Sequence, residues 1–368
     1  MTSRLERLHI ILQKSHLDGL LVSHQPNISY LTGFKSSDSY LLITEKKVFF
    51  ITDSRFYQQA ISFFEGVKNK LSKAEKTYCS VEGLKVELSG RSVFATIAKL
   101  AGAGRLKRLG FEARSLDVAQ YYRIKKLLRK SHFIPTQEVV EDLRRVKEAG
   151  ELSKIKKAVS IAVRALKYAR KIIRPGLSEI EIVAELERFI RHQGARGSSF
   201  ETIVASGENT AFPHHLTGKR KLKKCDCLLI DIGVDYDGYK SDLTRTFFLG
   251  KIPSKISKIY QIVLQAQIQA INKIKPGVRI CEIDRSARQY IAKHGYGGFF
   301  AHNLGHGIGL EVHEQPAISA NNNATTEAGM VFTVEPAVYL KGRFGIRIED
   351  DVAVTRSGCE VLSSDLDK

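Results

Sequence analysis

Two stretches of this chain repeat each other, and the repeat limits the possible folds more than any other feature. IRPGLSEIEIVAELERFIRHQG, starting at Ile173, and IKPGVRICEIDRSARQYIAKHG, starting at Ile274, align without a gap. They share a Pro-Gly turn, a Glu-Ile pair, a later isoleucine and a closing glycine. Self-similarity of this kind marks a supersecondary unit that the chain builds twice. In the first copy Ser178 and Glu181 form a capping-box pattern just after the turn, so a helix starts there. Each copy follows another long amphipathic segment and precedes, some distance on, a pair of β-rich segments carrying acids. The expectation is an α/β (α+β) region of two halves related by a pseudo-twofold axis.

The acids are oddly placed. In LLIDIGVDYDGYKSDLTRTFFL, Leu228 to Leu249, the run Leu228, Leu229, Ile230 and Ile232 reads as a buried strand, and Asp237-Gly238 is a turn signal. Asp231 nevertheless interrupts the apolar run, and Asp242 follows on the return strand. The second half repeats the pattern with Glu335 in MVFTVEPAVYL and Glu349 in FGIRIEDDVAV. Packing the halves about a twofold would gather four carboxylates at the interface. Four anions cannot share a low-dielectric pocket without cations between them, and metal ions resolve the conflict.

Between the acid pairs lies HNLGHGIGLEVHEQP, His302 to Pro316, where glycines let backbone approach closely. A neutral histidine is the expected extra ligand for a transition metal among carboxylates, and His306, flanked by glycines, fills that place. An oxygen-rich set of this kind suits Mn²⁺, Fe²⁺, Co²⁺ or Zn²⁺. Two ions about 3.5–4 Å apart would bind a bridging hydroxide and clamp both ends of a hydrolytic displacement. Taken singly, a strand aspartate is usually a turn or cap ligand and a histidine among glycines a satisfied loop residue. The ordered set Asp-Asp-His-Glu-Glu over a duplicated fold is far more specific.

With 368 residues, 43% of them hydrophobic, the chain has material for two domains with real cores. Helix and strand patterns alternate to about Pro135, after which helical periodicity runs from about Val139 to Ile173, so the expected division is 1–135 and 136–368. A net charge of +19 suggests nucleic acid, but the cations are spread along amphipathic segments, with one cluster at Lys219 to Lys224. No recognition-helix, zinc-finger or aromatic-glycine motif accompanies them, so no specific nucleic-acid partner is expected. No run reaches the ~18–20 apolar residues of a membrane span, and the amino terminus lacks an apolar signal core. Five scattered cysteines (Cys79, Cys225, Cys227, Cys281 and Cys359) fit reduced thiols in a cytoplasm, and Cys225-x-Cys227 has no second pair with which to hold zinc.

The stretches SGENTAFPHH, IDIGVDYDGYKSDLTRTF, NLGHGIGLEVHEQP, TVEPAVY and GIRIEDDVAVT together resemble the "pita-bread" metallopeptidases, the family of methionine aminopeptidase, aminopeptidase P and prolidase. The resemblance covers most of the carboxyl-terminal two-thirds. It implies two divalent ions per chain, Mn²⁺ most often, with Co²⁺ or Zn²⁺ as alternatives. Asp231 would chelate one ion, Asp242 and Glu349 would bridge both, and His306 and Glu335 would complete the other site. Glu335 would also be the general base. His214, His302 and His313 would line the substrate pocket and donate hydrogen bonds, with Arg347 in support. His215 follows His214, and His214 is taken because it follows Pro213 as in that family.

ISYLTGFKSSDSYLLITEKKVFFITDSRFYQQA resembles the amino-terminal domain of aminopeptidase P, including a TDxR segment ending at Arg55. The implied substrates are short peptides with proline second, and the implied assembly is a homodimer. An Xaa-Pro aminopeptidase is the leading reading and an Xaa-Pro dipeptidase (prolidase) the alternative. Metal-free relatives that act as binding modules or creatinase-like enzymes are disfavoured because all five ligand positions hold competent residues.

Overall fold

A computed structural model describes residues 3–70, 84–90 and 92–368, which excludes Cys79. The chain divides into two compact units, Met1–Arg144 and Arg145–Lys368.

The first unit opens with the helix Arg4–Lys14. Ser3 and Glu6 cap each other's backbone at its start, and Leu5, Leu8 and Leu12 form its buried stripe. Its six strands are β1 (Gly19–Val22), β2 (Ser39–Thr44), β3 (Val48–Thr52), β4 (Leu84–Leu88), β5 (Arg108–Glu112) and β6 (His132–Thr136). They form one mixed sheet in the order β4-β3-β2-β1-β5-β6. The expected hairpin is the antiparallel pair β2–β3, and the expected helix after it runs from Ser54 to Lys70. A core around Leu21, Leu42, Ile51, Leu109 and Phe111 holds helices Val93–Ala103 and Val118–Leu127 against the sheet.

Pro135 does not end this unit. It lies in β6 at the sheet edge, where a missing N–H costs little. The chain then returns in the short helix Glu141–Arg144, tied down where Arg144 donates to Asn27 Oδ1 and Tyr30 Oη donates to the Leu143 carbonyl. The division therefore falls after Arg144. The helical periodicity from Val139 is also broken, because Val146 pairs with Met330 before the helix Ala149–Ile172 begins.

The second unit is built twice, as the repeat requires. Helices Ala149–Ile172 and Glu179–His192 serve the first half, and helices Ser254–Ile271 and Ile280–Lys293 the second. The first half carries β7 (Gly197–Ser198), β8 (Ile203–Ser206), β9 (Cys227–Ile232), β10 (Val234–Tyr236), β11 (Tyr239–Lys240) and β12 (Leu243–Phe248). The second carries β13 (Gly305–Gly307), β14 (Glu314–Ile318), β15 (Val331–Val334), β16 (Ala337–Leu340), β17 (Phe344–Arg347), β18 (Asp350–Val354) and β19 (Cys359–Val361). One apolar core gathers mainly around the first helix pair, and a second gathers around the other.

The halves correspond strand by strand. β9 pairs antiparallel with β12 and encloses the smaller hairpin β10–β11, and β15 pairs with β18 around the hairpin β16–β17. The turn of the first hairpin is Asp237-Gly238, both at positive φ (50° and 86°), as a two-residue hairpin turn of the favoured twist needs. What the sequence suggests as one long hairpin is thus two nested ones. The break between them falls where Asp242 sits, and in the other half where Glu335 and Glu349 sit.

Candidate metal centre

Each acid of the set sits beside a joint between outer and inner hairpin. Asp231 lies near the end of β9 and Glu335 just past the end of β15. Asp242 and Glu349 immediately precede β12 and β18. A strand aims its side chains with period two, so these joints turn the acids toward one another without moving the apolar residues between them. Asp231, Asp242 and Glu349 are 8%, 5% and 2% exposed, far below what a carboxylate tolerates alone.

His306 completes the group. Its Nε2 is 3.5 Å from Asp242 Oδ2 and 3.5 Å from Glu335 Oε1. Nδ1 lies 3.1 Å from its neighbour's carbonyl, Gly307 O, and so carries the proton. The Nε2 lone pair then faces the acids. Burial pushes the His306 pKa down to about 4, so the ring is neutral, as a ligand must be. Glycine is required on both sides: a Cβ at Gly305 would lie 2.0 Å from Thr333 O, and one at Gly307 would lie 2.2 Å from Gln315 O. β13 runs this close to its neighbours because those positions have no side chain.

The electrostatics fit a cation. Burial, and then repulsion from Glu349, raise the Asp242 pKa well above the ordinary carboxylate range, and burial with Glu335 nearby does the same to Glu349. Glu335 is pushed up to about 8, mainly by burial. At an effective dielectric of about 20, two such charges 4 Å apart repel by about 4 kcal/mol. Asp231 Oδ1 and Asp242 Oδ1 are buried with no hydrogen-bond partner. Ligand atoms of Asp242, His306 and Glu349 lie within 4.8 Å of one another. Orphaned carboxylate oxygens converging with an imidazole lone pair form a donor set that suits divalent transition ions.

Four neighbours hold the acids. Thr244 stands opposite Asp231 across β9–β12, donates to Glu349 Oε2 at 2.5 Å and accepts from Arg347 Nε at 3.0 Å. Arg347 Nη2 donates to Asp231 Oδ2, and its Nη1 donates to Tyr339 Oη at 2.6 Å. Thr333 donates to Glu335 Oε1 at 3.2 Å. Sequence reading assigns support to Arg347 but passes over Thr244, Thr333 and Tyr339. A period-two signal was available for two of them, since Thr244 follows Asp242 and Thr333 precedes Glu335 by two residues.

The cleft above the acids has a volume of about 610 Å³. His214, His302 and His313 line it, with Phe200, Ile203 and Val312 on its apolar wall. The expected histidines are therefore gathered, but they are not equivalent. Burial pushes the His302 pKa down to about 4. Its Nδ1 then donates to Asn303 O at 2.7 Å, and its Nε2 accepts from Tyr339 Oη at 3.3 Å. A neutral His302 so engaged has no N–H left to give a substrate. The ring of His313 is 4.1 Å from that of His306. His215 also faces the cleft, but its Nε2 is held by Glu179 at 2.9 Å, which leaves His214 as the member of the pair turned to other work.

Elsewhere, Cys225 is exposed and Cys227 is buried with its thiol against Gly345 O, so this spacing does not form a site. Arg55 is exposed and paired with Asp53 and Asp38 within the first unit. Among the described residues no helix is long and apolar enough to cross a membrane.

Comparison with known families agrees with this geometry. Residues 153–356 match the family described as metallopeptidase family M24, and residues 4–146 match the creatinase/prolidase N-terminal domain. The chain belongs to metallopeptidase family M24. Solved M24 relatives cover it nearly end to end. An Xaa-Pro dipeptidase from Bacillus anthracis is 37% identical with a TM-score of 0.91, over 99% of this chain and 98% of that one. An X-Pro aminopeptidase from Thermotoga maritima is 36% identical with a TM-score of 0.84, over 97% of each chain. By sequence, an Xaa-Pro dipeptidase of Pyrococcus horikoshii is 33% identical over 364 residues, 99% of this chain and 97% of the relative. As an M24 member the chain is a metal-dependent hydrolase of the pita-bread fold with an amino-terminal creatinase-like domain.

Proposed function

We propose that this chain hydrolyses the peptide bond between a first residue and a following proline, acting as an Xaa-Pro aminopeptidase on short peptides. The observation that carries the reading is the convergence of Asp231, Asp242, His306, Glu335 and Glu349 on the floor of a histidine-lined cleft. The activities of the relatives named above supply the proline. Because two full-length relatives are dipeptidases, Xaa-Pro dipeptidase is the second reading.

Asp231, Asp242, His306, Glu335 and Glu349 would hold two divalent ions, with Mn²⁺ the first choice. Ions held there supply Lewis acidity for the scissile carbonyl and acidify the attacking water. The rest is work for this chain's own side chains. Glu335, in its ionised form, takes the water's proton at a carboxylate oxygen and passes it to the proline nitrogen as the peptide bond breaks. His214 and His313 donate to the oxygen where negative charge develops. His302 orients Tyr339, and Tyr339 with Thr244 fixes Arg347 against Asp231. The apolar wall excludes water.

The test offers metal-stripped protein reloaded with Mn²⁺ an Xaa-Pro dipeptide and an Xaa-Pro-Xaa tripeptide, beside the Asp242→Ala variant. Cleavage of the tripeptide at its first bond supports the aminopeptidase, and cleavage of the dipeptide alone supports the dipeptidase. Asp242→Ala is expected to lose both metal and activity. Full activity in that variant would sink the mechanism.

A further inference from the structure

One heavily bonded carboxylate of the second unit is not used by the hydrolytic chemistry. Glu179, at the start of the helix Glu179–His192, is 0% exposed. Its Oε1 accepts from Ser206 N at 2.8 Å, Ser206 Oγ at 2.7 Å and Asn209 Nδ2 at 3.0 Å. Its Oε2 accepts from His215 Nε2 at 2.9 Å and Gly218 N at 3.2 Å. Burial acts to raise its pKa, but these donors win and hold the carboxyl below its ordinary value, so it is ionised. Every donor lies in the segment 206–218, which also carries His214.

Other bonds also reach that segment: Thr210 Oγ1 accepts from Gly345 N at 2.8 Å, Pro213 O from Arg347 Nη1 at 3.3 Å and Thr217 Oγ1 from Val204 N at 2.9 Å. Phe212 is 53% exposed and Leu216 is 79% exposed, so its largest apolar side chains are not packed inward. The first half's helix instead reaches it through polar bonds. The backbone adds Ile180 N to Gly218 O at 3.0 Å and Glu179 N to Arg220 O at 3.0 Å. Arg220 continues the chain of contacts, donating to Ser206 Oγ at 2.6 Å and pairing with Asp226 through bonds of 2.6 and 3.1 Å. Asp226 is the residue before β9, the strand that carries Asp231. An ionised carboxylate has no proton to give, so its contact with His215 assigns the proton to Nε2. In the neutral tautomer of the ring this leaves the lone pair on Nδ1.

We propose that Glu179 is a positioning residue for the peptidase: it clamps the segment 206–218 so that His214 stands fixed over the acids, and it sets the tautomer of His215. The catalytic consequence rests on the Xaa-Pro reading; the clamp itself does not. Preset geometry matters because a group that must find its place during the reaction loses much of its effect.

The experiment uses the full chain loaded with Mn²⁺ and the variant Glu179→Gln, which keeps the shape but turns an NH₂ toward donors. Amide hydrogen exchange at Ser206 and Gly218 reads the clamp without any substrate. Exchange there is expected to rise about tenfold or more, as loss of one or two charged hydrogen bonds implies. Metal content and exchange in the helix Ser254–Ile271 should stay at the wild-type level. With substrate, kcat should fall about tenfold while KM moves less, the pattern of an interaction made in the transition state. In a His214→Ala background the same substitution should cost less than about twofold, because its effect acts through His214. Asn209→Ala, which removes one donor and leaves the carboxylate in place, should show a smaller rise in exchange and serves if the glutamine variant does not fold. Unchanged exchange in both variants, or equal losses with and without His214, would overturn the proposal. If the wild-type chain cleaves no Xaa-Pro peptide, the functional reading fails and the exchange measurement alone decides the clamp.

Discussion

Thr244 shows how much of the site depends on residues with no chemistry of their own. Its hydroxyl donates to Glu349 at 2.5 Å and accepts from Arg347 at 3.0 Å, so it fixes a proposed ligand and the cation that restrains Asp231. Thr244→Val keeps the shape, removes both bonds and leaves the Glu349 oxygen buried without its donor. Outer partners of metal ligands typically contribute 10–100-fold, so Mn²⁺ affinity is expected to fall by about that factor, measured by titration calorimetry on stripped protein. A variant that binds Mn²⁺ as tightly as wild type would show that Thr244 only fills space. The four acids and His306 were legible because a carboxylate inside an apolar strand, or a histidine between glycines beside one, does nothing for the strand itself. Thr244 and Thr333 were not, because threonine is an ordinary strand residue. Glu179 looked like one more acid in a helix's first turn, where acids are common, and only its burial sets it apart.

At the scale of elements, the repeat was legible because its helices carry their own signals. Ser178 and Glu181 cap the first copy as the pattern requires. The matching helix of the second copy starts at Ile280 with no side-chain cap bond, so its start is fixed by packing and by Ile280 N bonding Ala324 O. The nested hairpins were less legible, since a single apolar run with one turn signal cannot show where inner and outer pairs part. The domain boundary slipped past Pro135 for a similar reason: proline ends many elements but is tolerated in an edge strand. The tightest element-level constraint is β13. Gly305→Ala places a Cβ 2.0 Å from Thr333 O, so β13 must shift away from β15 and take His306 with it. Overpacking of this kind costs about 1–3 kcal/mol. The variant is expected to melt lower and to lose metal together, seen by calorimetry and metal analysis. A lowered melting point with full metal content would show that the strand yields without moving its histidine.

Among the described residues, apolar cores belong to different units, around the six-stranded sheet and around the helix pairs of the duplicated halves, while the converging acids and His306 lie in the second unit. Metal should therefore stabilise one unit and leave the other untouched, and the effect should depend on pH in a set direction. Glu335 has a folded pKa of about 8 against an ordinary value of 4.5, and Asp242 and Glu349 are displaced the same way by burial and by one another. Between those pH values the metal-free folded chain retains protons that the unfolded chain has released. Stability is then fully present below about pH 4.5 and is lost as pH rises toward about 8. Bound Mn²⁺ replaces those protons and removes the penalty. At a free concentration of about 100 times Kd it also adds about 2.7 kcal/mol by mass action. Scanning calorimetry of stripped and Mn²⁺-loaded protein at pH 5 and pH 8 tests both statements. The transition of the second unit should fall from pH 5 to pH 8 only in the stripped protein, and the gain from Mn²⁺ should be larger at pH 8, while the first unit melts alike with and without metal. A stripped protein whose second unit is steadier at pH 8 than at pH 5 would mean that the acids are compensated within the chain, and the case for ions between them would fail with it.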